Sequence, residues 1–143
     1  MPPRLAAEMD RAFETLSVAV GKRDSTRAGS AAIDVAQSAL DFQLQYLPPA
    51  EVDLRRFGLW ANQILVDAAA GDLGGVRGDV TTMEWVRDRF ADQINPADLT
   101  AIDAHLVALR ESVSNETGDL RAASAEASEL RDPLLVGPVK ARD

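Results

Sequence analysis

Apolar side chains recur three and four residues apart over almost the whole chain, the repeat of an amphipathic helix. The breaks in that repeat fall at Pro, Gly, Asn and Asp, the residues that end and cap helices. Six helices follow. The first opens at Pro2 and Pro3 and turns Leu5, Met9, Ala12, Phe13, Leu16 and Val20 inward before Gly21–Asp24 stops it. The second is capped by Asp24 or Ser25 and runs to about Tyr46. Its seam is Ala28, Ala32, Val35, Ala39, Phe42 and Tyr46, with Asp34, Ser38, Asp41 and Gln45 on the polar side. Pro48 and Pro49 end it and start the third with almost no loop.

The third helix is patterned on two sides. Leu54, Phe57, Ala61, Ile64, Leu65 and Ala68 share one face, with Trp60 at its margin as a core aromatic. Val52, Leu59 and Val66 lie nearly opposite, and a helix with two apolar faces is packed from both sides. In the fourth segment, Leu73, Val76, Val80, Met83, Phe90 and Ile94 keep one seam through Gly74, Gly75 and Gly78, so the segment is a helix rather than a loop. Asn95–Pro96 caps and opens the fifth helix, with Leu99, Ile102, Leu106, Leu109 and Val113 inward. The sixth runs from Asp119 to about Arg131 on Leu120, Ala123, Ala127 and Leu130. Pro133 closes it, leaving an irregular tail to Asp143.

These elements predict an all-α fold: one helical domain over 1–132, six helices in three successive antiparallel hairpins, the third helix central, and a tail over 133–143. Asp24, Asp72 and Asp119 each begin the second helix of a pair, shortly after Gly21, Gly71 and Gly118, at spacings of 48 and 47 residues. Two architectures fit, an up-and-down bundle and a repeat-like stack. The spacing resembles helical repeat arrays only broadly, and no repeat signature is present.

Composition narrows the function more than the fold. Hydrophobic residues make up 46% of 143 and charged ones 27%, enough for one soluble core. A net charge of −8 argues against nucleic-acid binding and docking on anionic lipid. With no Cys, disulfides, thiolate metal sites and cysteine nucleophiles are excluded. No apolar run reaches the length of a membrane span, so a cytoplasmic location is expected, with a mature exported fragment as the alternative. The excess of 13 Arg over 2 Lys fits a GC-rich bacterial genome.

Candidate chemistry is sparse. His105, the sole imidazole, has no Glu-x-x-His or His-x-x-x-His partner and is expected to be a hydrogen-bonded surface or boundary residue. Met9 and Met83 sit on core seams. Asp34/Asp41 and Glu84/Asp88/Asp92, the latter beside Arg87 and Arg89, read as solvated faces. Asp67 borders an inward position and invites an arginine partner. No catalytic set, metal set or cofactor is legible, so a non-enzymatic protein is expected.

The remaining signal is on the fourth helix, where Gly74, Gly78, Thr81 and Trp85 share a face opposite the seam, with Arg89 continuing it. Each helical Gly costs about 1 kcal/mol against Ala, so three together need a reason. Close approach of another helix at Gly74 and Gly78 supplies one, while Gly75 is the position expected to accept a methyl group where nothing crowds it. Either a helix of the same chain covers this face, or it binds a second copy or a protein partner with Trp85 as anchor, or it forms a pocket for a small apolar ligand. A helical interaction module is therefore the leading expectation, and a bundle holding a small ligand in its interior the alternative.

Overall fold

In a computed structural model, described over residues 2–132, six α-helices account for nearly all regular structure. They are α1 (Pro3–Gly21), α2 (Ser25–Gln43), α3 (Pro49–Ala69), α4 (Leu73–Phe90), α5 (Pro96–Ser112) and α6 (Leu120–Leu130). The anticipated irregular tail, 133–143, lies outside the described residues. Four helices begin at side-chain caps: Asp24, Asp72, Asn95 and Asp119 accept from the N–H groups of Arg27, Gly75, Ala97 and Ala122. Pro3, Pro49 and Pro96 occupy first turns, where a missing N–H has no partner to lose.

The hairpin turns match the expected punctuation in two of three cases. Gly71 (φ 75°) and Gly118 (φ 58°) take the left-handed conformation before Asp72 and Asp119. In the first turn it is Arg23 (φ 54°) that does so, while Gly21 remains the last residue of α1. Two ends also differ from expectation. α2 stops at Gln43 rather than Tyr46, because the chain must leave the helix before Pro48. The N–H groups of Tyr46 and Leu47 both turn back to the Gln43 carbonyl, and Tyr46 is left 83% exposed. α4 tightens after Phe90 into a 3₁₀ turn, Ala91–Gln93, so the backbone is extended at Ile94 and Asn95 ahead of Pro96.

The packing is that of a bundle. α3, α4, α5 and α6 each pack on the next, and α6 returns to α3, closing a four-helix ring. α2 lies on the outer side of α3, and α1 on α2, so α3 is sandwiched as its two apolar faces require. The continuous apolar core belongs to the ring alone. Phe57 and Phe90, both fully buried, meet edge-to-face at its middle, their centroids 5.5 Å apart. α1 and α2 contribute only Ala19, Ala31 and Leu40 as buried apolar residues, and Phe13 and Val20, assigned inward by periodicity, are more than half exposed. The α1 pattern exceeds what one neighbouring helix covers.

Polar stitches fix the register between helices. Arg87 forks onto both carboxylate oxygens of Asp103 at 2.7 and 2.6 Å, and Arg110 onto Glu84, joining α4 to α5. Arg77 donates to the Val113 and Asn115 carbonyls, terminating α5. Arg56 on α3 donates to Gln37 and Asp41 of α2. Of the charges read from sequence as solvated faces, Asp41, Glu84 and Arg87 instead form pairs between helices. Among the described residues, no helix is long and apolar enough to cross a membrane.

Candidate functional site

The glycine-bearing segment is helical throughout, so its residues take up the register that the seam implied. Gly74, Gly78, Thr81, Trp85 and Arg89 all lie exposed on the outer side of α4. Trp85 is 76% exposed, although indole is among the largest apolar bodies a surface can carry. A Cβ added at Gly78 would meet nothing within 4 Å, and one at Gly74 only its own cap, Asp72. Neither glycine is therefore required by a neighbouring helix of the described chain. Gly75 reverses the expectation: a Cβ there would come within 2.5 Å of Asp67 and 2.6 Å of Asp72, so this glycine is the crowded one.

Beside Trp85 runs a groove of about 600 Å³ that no single helix could have announced. α4 supplies one wall with Thr82, Trp85, Val86, Asp88 and Arg89; α3 gives Arg56 and Trp60, and α2 gives Asp34 and Gln37. Trp60, expected in the core, is half-buried: it packs against the core cluster and also faces this groove. The groove's polar groups are incompletely matched. Arg56 donates to Gln37 Oε1 at 2.8 Å, which fixes the amide orientation and leaves Gln37 Nε2 buried with no acceptor. Partial burial raises the Asp34 carboxyl above its ordinary value. Arg89, on the rim, is held by its Nε at 3.1 Å from Asp53, which is only 3% exposed. That buried acid–arginine pair was anticipated at Asp67; it forms at Asp53, one helix position that the apolar pattern had passed over.

Asp67 has different company. It accepts from Gln63, which also donates to Ser30 of α2, and it lies against Asp79 of α4. Asp79 is 7% exposed, with Oδ2 lacking a partner. Burial, then the charge of Asp67, its hydrogen bond and the charge of Asp72 push the Asp79 carboxyl up to about 8. With its carboxyl pushed up to about 8, Asp79 is the member of this carboxyl cluster that keeps its proton at neutral pH. The signal was available: Asp79 lies three residues after Val76 and four before Met83, at the edge of the seam.

His105 bonds Glu126 across α5 and α6 at 2.7 Å, the boundary role expected of it. Met83 is fully buried on its seam. Among the described residues, no group of three or more His, Asp or Glu is arranged to hold a metal ion. No family model, no curated protein and no solved structure matches the chain.

Proposed function

We propose that the protein is a non-enzymatic helical interaction module that pairs with a second copy of itself through the outer face of α4. The carrying observation is Trp85, 76% exposed on the rim of a groove of about 600 Å³ whose opposite side holds Trp60. A two-fold interface needs a patch complementary to itself, and here a protruding aromatic and an open groove roomy enough to take it lie next to each other. In such a pair each Trp85 enters the other copy's groove, and Gly74 and Gly78 let the α4 backbones approach closely. Tryptophan and arginine are the residues most often found at the energetic centre of interfaces.

Sedimentation equilibrium tests this reading. The parent chain is expected to associate with rising concentration, and Trp85→Ala and Gly78→Leu to remain monomeric with an unchanged helical spectrum. A parent that stays monomeric at every accessible concentration overturns self-association and leaves the face to a different protein partner. The interior-ligand alternative has less support, because Phe57, Phe90, Leu54, Ile64, Met83 and Leu109 fill the ring.

A further inference from the structure

Asp53 is a charged group in an apolar setting. It is 3% exposed on α3, its Oδ1 has no partner, and its Oδ2 lies 3.1 Å from Nε of Arg89. A carboxylate buried against a single cation adds little to stability, because desolvation offsets the attraction. What the pair does fix is the place of Arg89. That side chain is tethered through Nε to a buried, rigid partner, while Nη1 and Nη2 have no hydrogen bond or ion pair among the described residues. With its side chain 61% exposed, Arg89 carries this uncommitted end at the rim of the Trp85 groove.

Two further groups in the groove suit one kind of guest. Trp60 faces it while packing on the core, and aromatic rings pair edge-to-face or offset. Asp34, on the α2 wall, has no hydrogen bond or ion pair among the described residues. A carboxylate guest would meet Asp34 and Asp88, and an ammonium guest Arg56 and Arg89, so the groove favours a guest without net charge. An indole answers each group in turn. Its face takes a cation, its edge a second ring, and its N–H an acceptor, which an indole needs once buried. The chain has two tryptophans, and the exposed one is Trp85.

We propose that the groove is an indole-recognition site, in which Asp53 positions Arg89 over the face of the second copy's Trp85 while Asp34 accepts from its N–H. This rests on the pairing proposed above and supplies its chemistry: Arg89 and Asp34 select an indole over other apolar side chains. Asp53 is a positioning residue, acting through Arg89 without touching the guest.

Free indole tests that chemistry apart from the pairing. In the full chain carrying Trp85→Ala, added indole is expected to shift the Trp60 indole N–H and Arg89 Nε–H resonances. Affinity should fall stepwise from indole to a monofluoroindole and a difluoroindole, about three- to fivefold in all, because fluorine drains the ring face that attracts a cation. N-methylindole should bind several-fold more weakly than indole, a gap that closes when Asp34→Ala is added. Asp53→Asn should flatten the fluorine series while the helical spectrum stays the same, which a merely structural Asp53 would not do. In the parent, excess indole should dissolve the association seen by sedimentation. A flat fluorine series in Trp85→Ala overturns the indole site and leaves the pairing standing if the parent associates. A graded series beside a parent that stays monomeric overturns Trp85 of a second copy as the guest.

Discussion

Replacing Asp79 by asparagine removes one ionisable group and keeps its shape, and its effect should reverse with pH. In the folded protein this carboxyl titrates near 8, against an ordinary 3.8. Between those values the folded chain holds a proton that the unfolded chain has released, so rising pH favours unfolding through that window. The contribution is complete below about 3.8 and gone above about 8. At about 1.4 kcal/mol per unit the whole shift would amount to about 6 kcal/mol. Solvent near the exposed Asp72 and Gly74 and rearrangement of the three carboxylates relieve a good part of it, leaving about 2–3 kcal/mol. The asparagine side chain carries no charge at any pH, and its amide can donate toward Asp67 as the protonated Asp79 carboxyl does. Urea unfolding followed by circular dichroism at pH 5, 7 and 9 measures the difference. The parent should lose about 2–3 kcal/mol more than Asp79→Asn between pH 5 and 9 and be the less stable of the two at pH 9. Parallel stability curves for the two proteins, or an Asp79 carbon-13 resonance that titrates near 4, would refute the raised Asp79 carboxyl.

Other substitutions separate the remaining roles. Trp60→Ala should cost about 2–3 kcal/mol, less than a fully buried aromatic because one side of the indole faces the groove, whereas Trp85→Ala should stay within about 1 kcal/mol. Matching thermal melts for the two would place Trp85 in the core. Gly75→Ala should destabilise despite the better helix propensity of Ala, because its methyl group displaces the Asp67 and Asp72 carboxylates, while Gly78→Ala should gain about 0.4–1 kcal/mol in urea titrations. Arg89→Ala leaves the Asp53 carboxylate buried without its partner and should cost about 1–3 kcal/mol, a loss that Asp53→Asn in the same chain partly recovers; additive losses in that double-mutant cycle would deny the pair.

Periodicity gave a good account of what each helix does by itself. Asp24, Asp72, Asn95 and Asp119 were legible as caps because a cap is a local device, satisfied within three residues. The continuous α4 was legible because Leu73, Val76, Val80 and Met83 outvote three glycines. Legibility fails where two helices must be known together. Phe13 and Val20 have the right spacing for burial, but among the described residues α1 leans mainly on α2. Asp53 and Asp79 sit among apolar neighbours, and their burial follows from where α4 and α3 meet. The candidate site divides the same way. The α4 face with Gly74, Gly78, Thr81, Trp85 and Arg89 could be read from one helix, but the groove beside it draws on α2 and α3 and has no linear trace.

Because the continuous core stops at α3, the protein has a thick part and a thin one. The ring of α3 to α6 is sealed by large side chains, whereas the α1–α2 layer adheres through alanines, one buried leucine and a few polar stitches such as Arg56–Asp41 and Gln63–Ser30. Layers of this kind detach at a fraction of the global unfolding free energy, and hydrogen exchange should find them opening first. That layer carries Asp34 and Gln37, one wall of the Trp85 groove. Peeling it back dismantles the groove without melting the ring. Occupancy of the groove and adhesion of the layer are therefore thermodynamically linked: whatever fills the groove glues the layer down, and a mutation that loosens α2 weakens binding without touching the occupant.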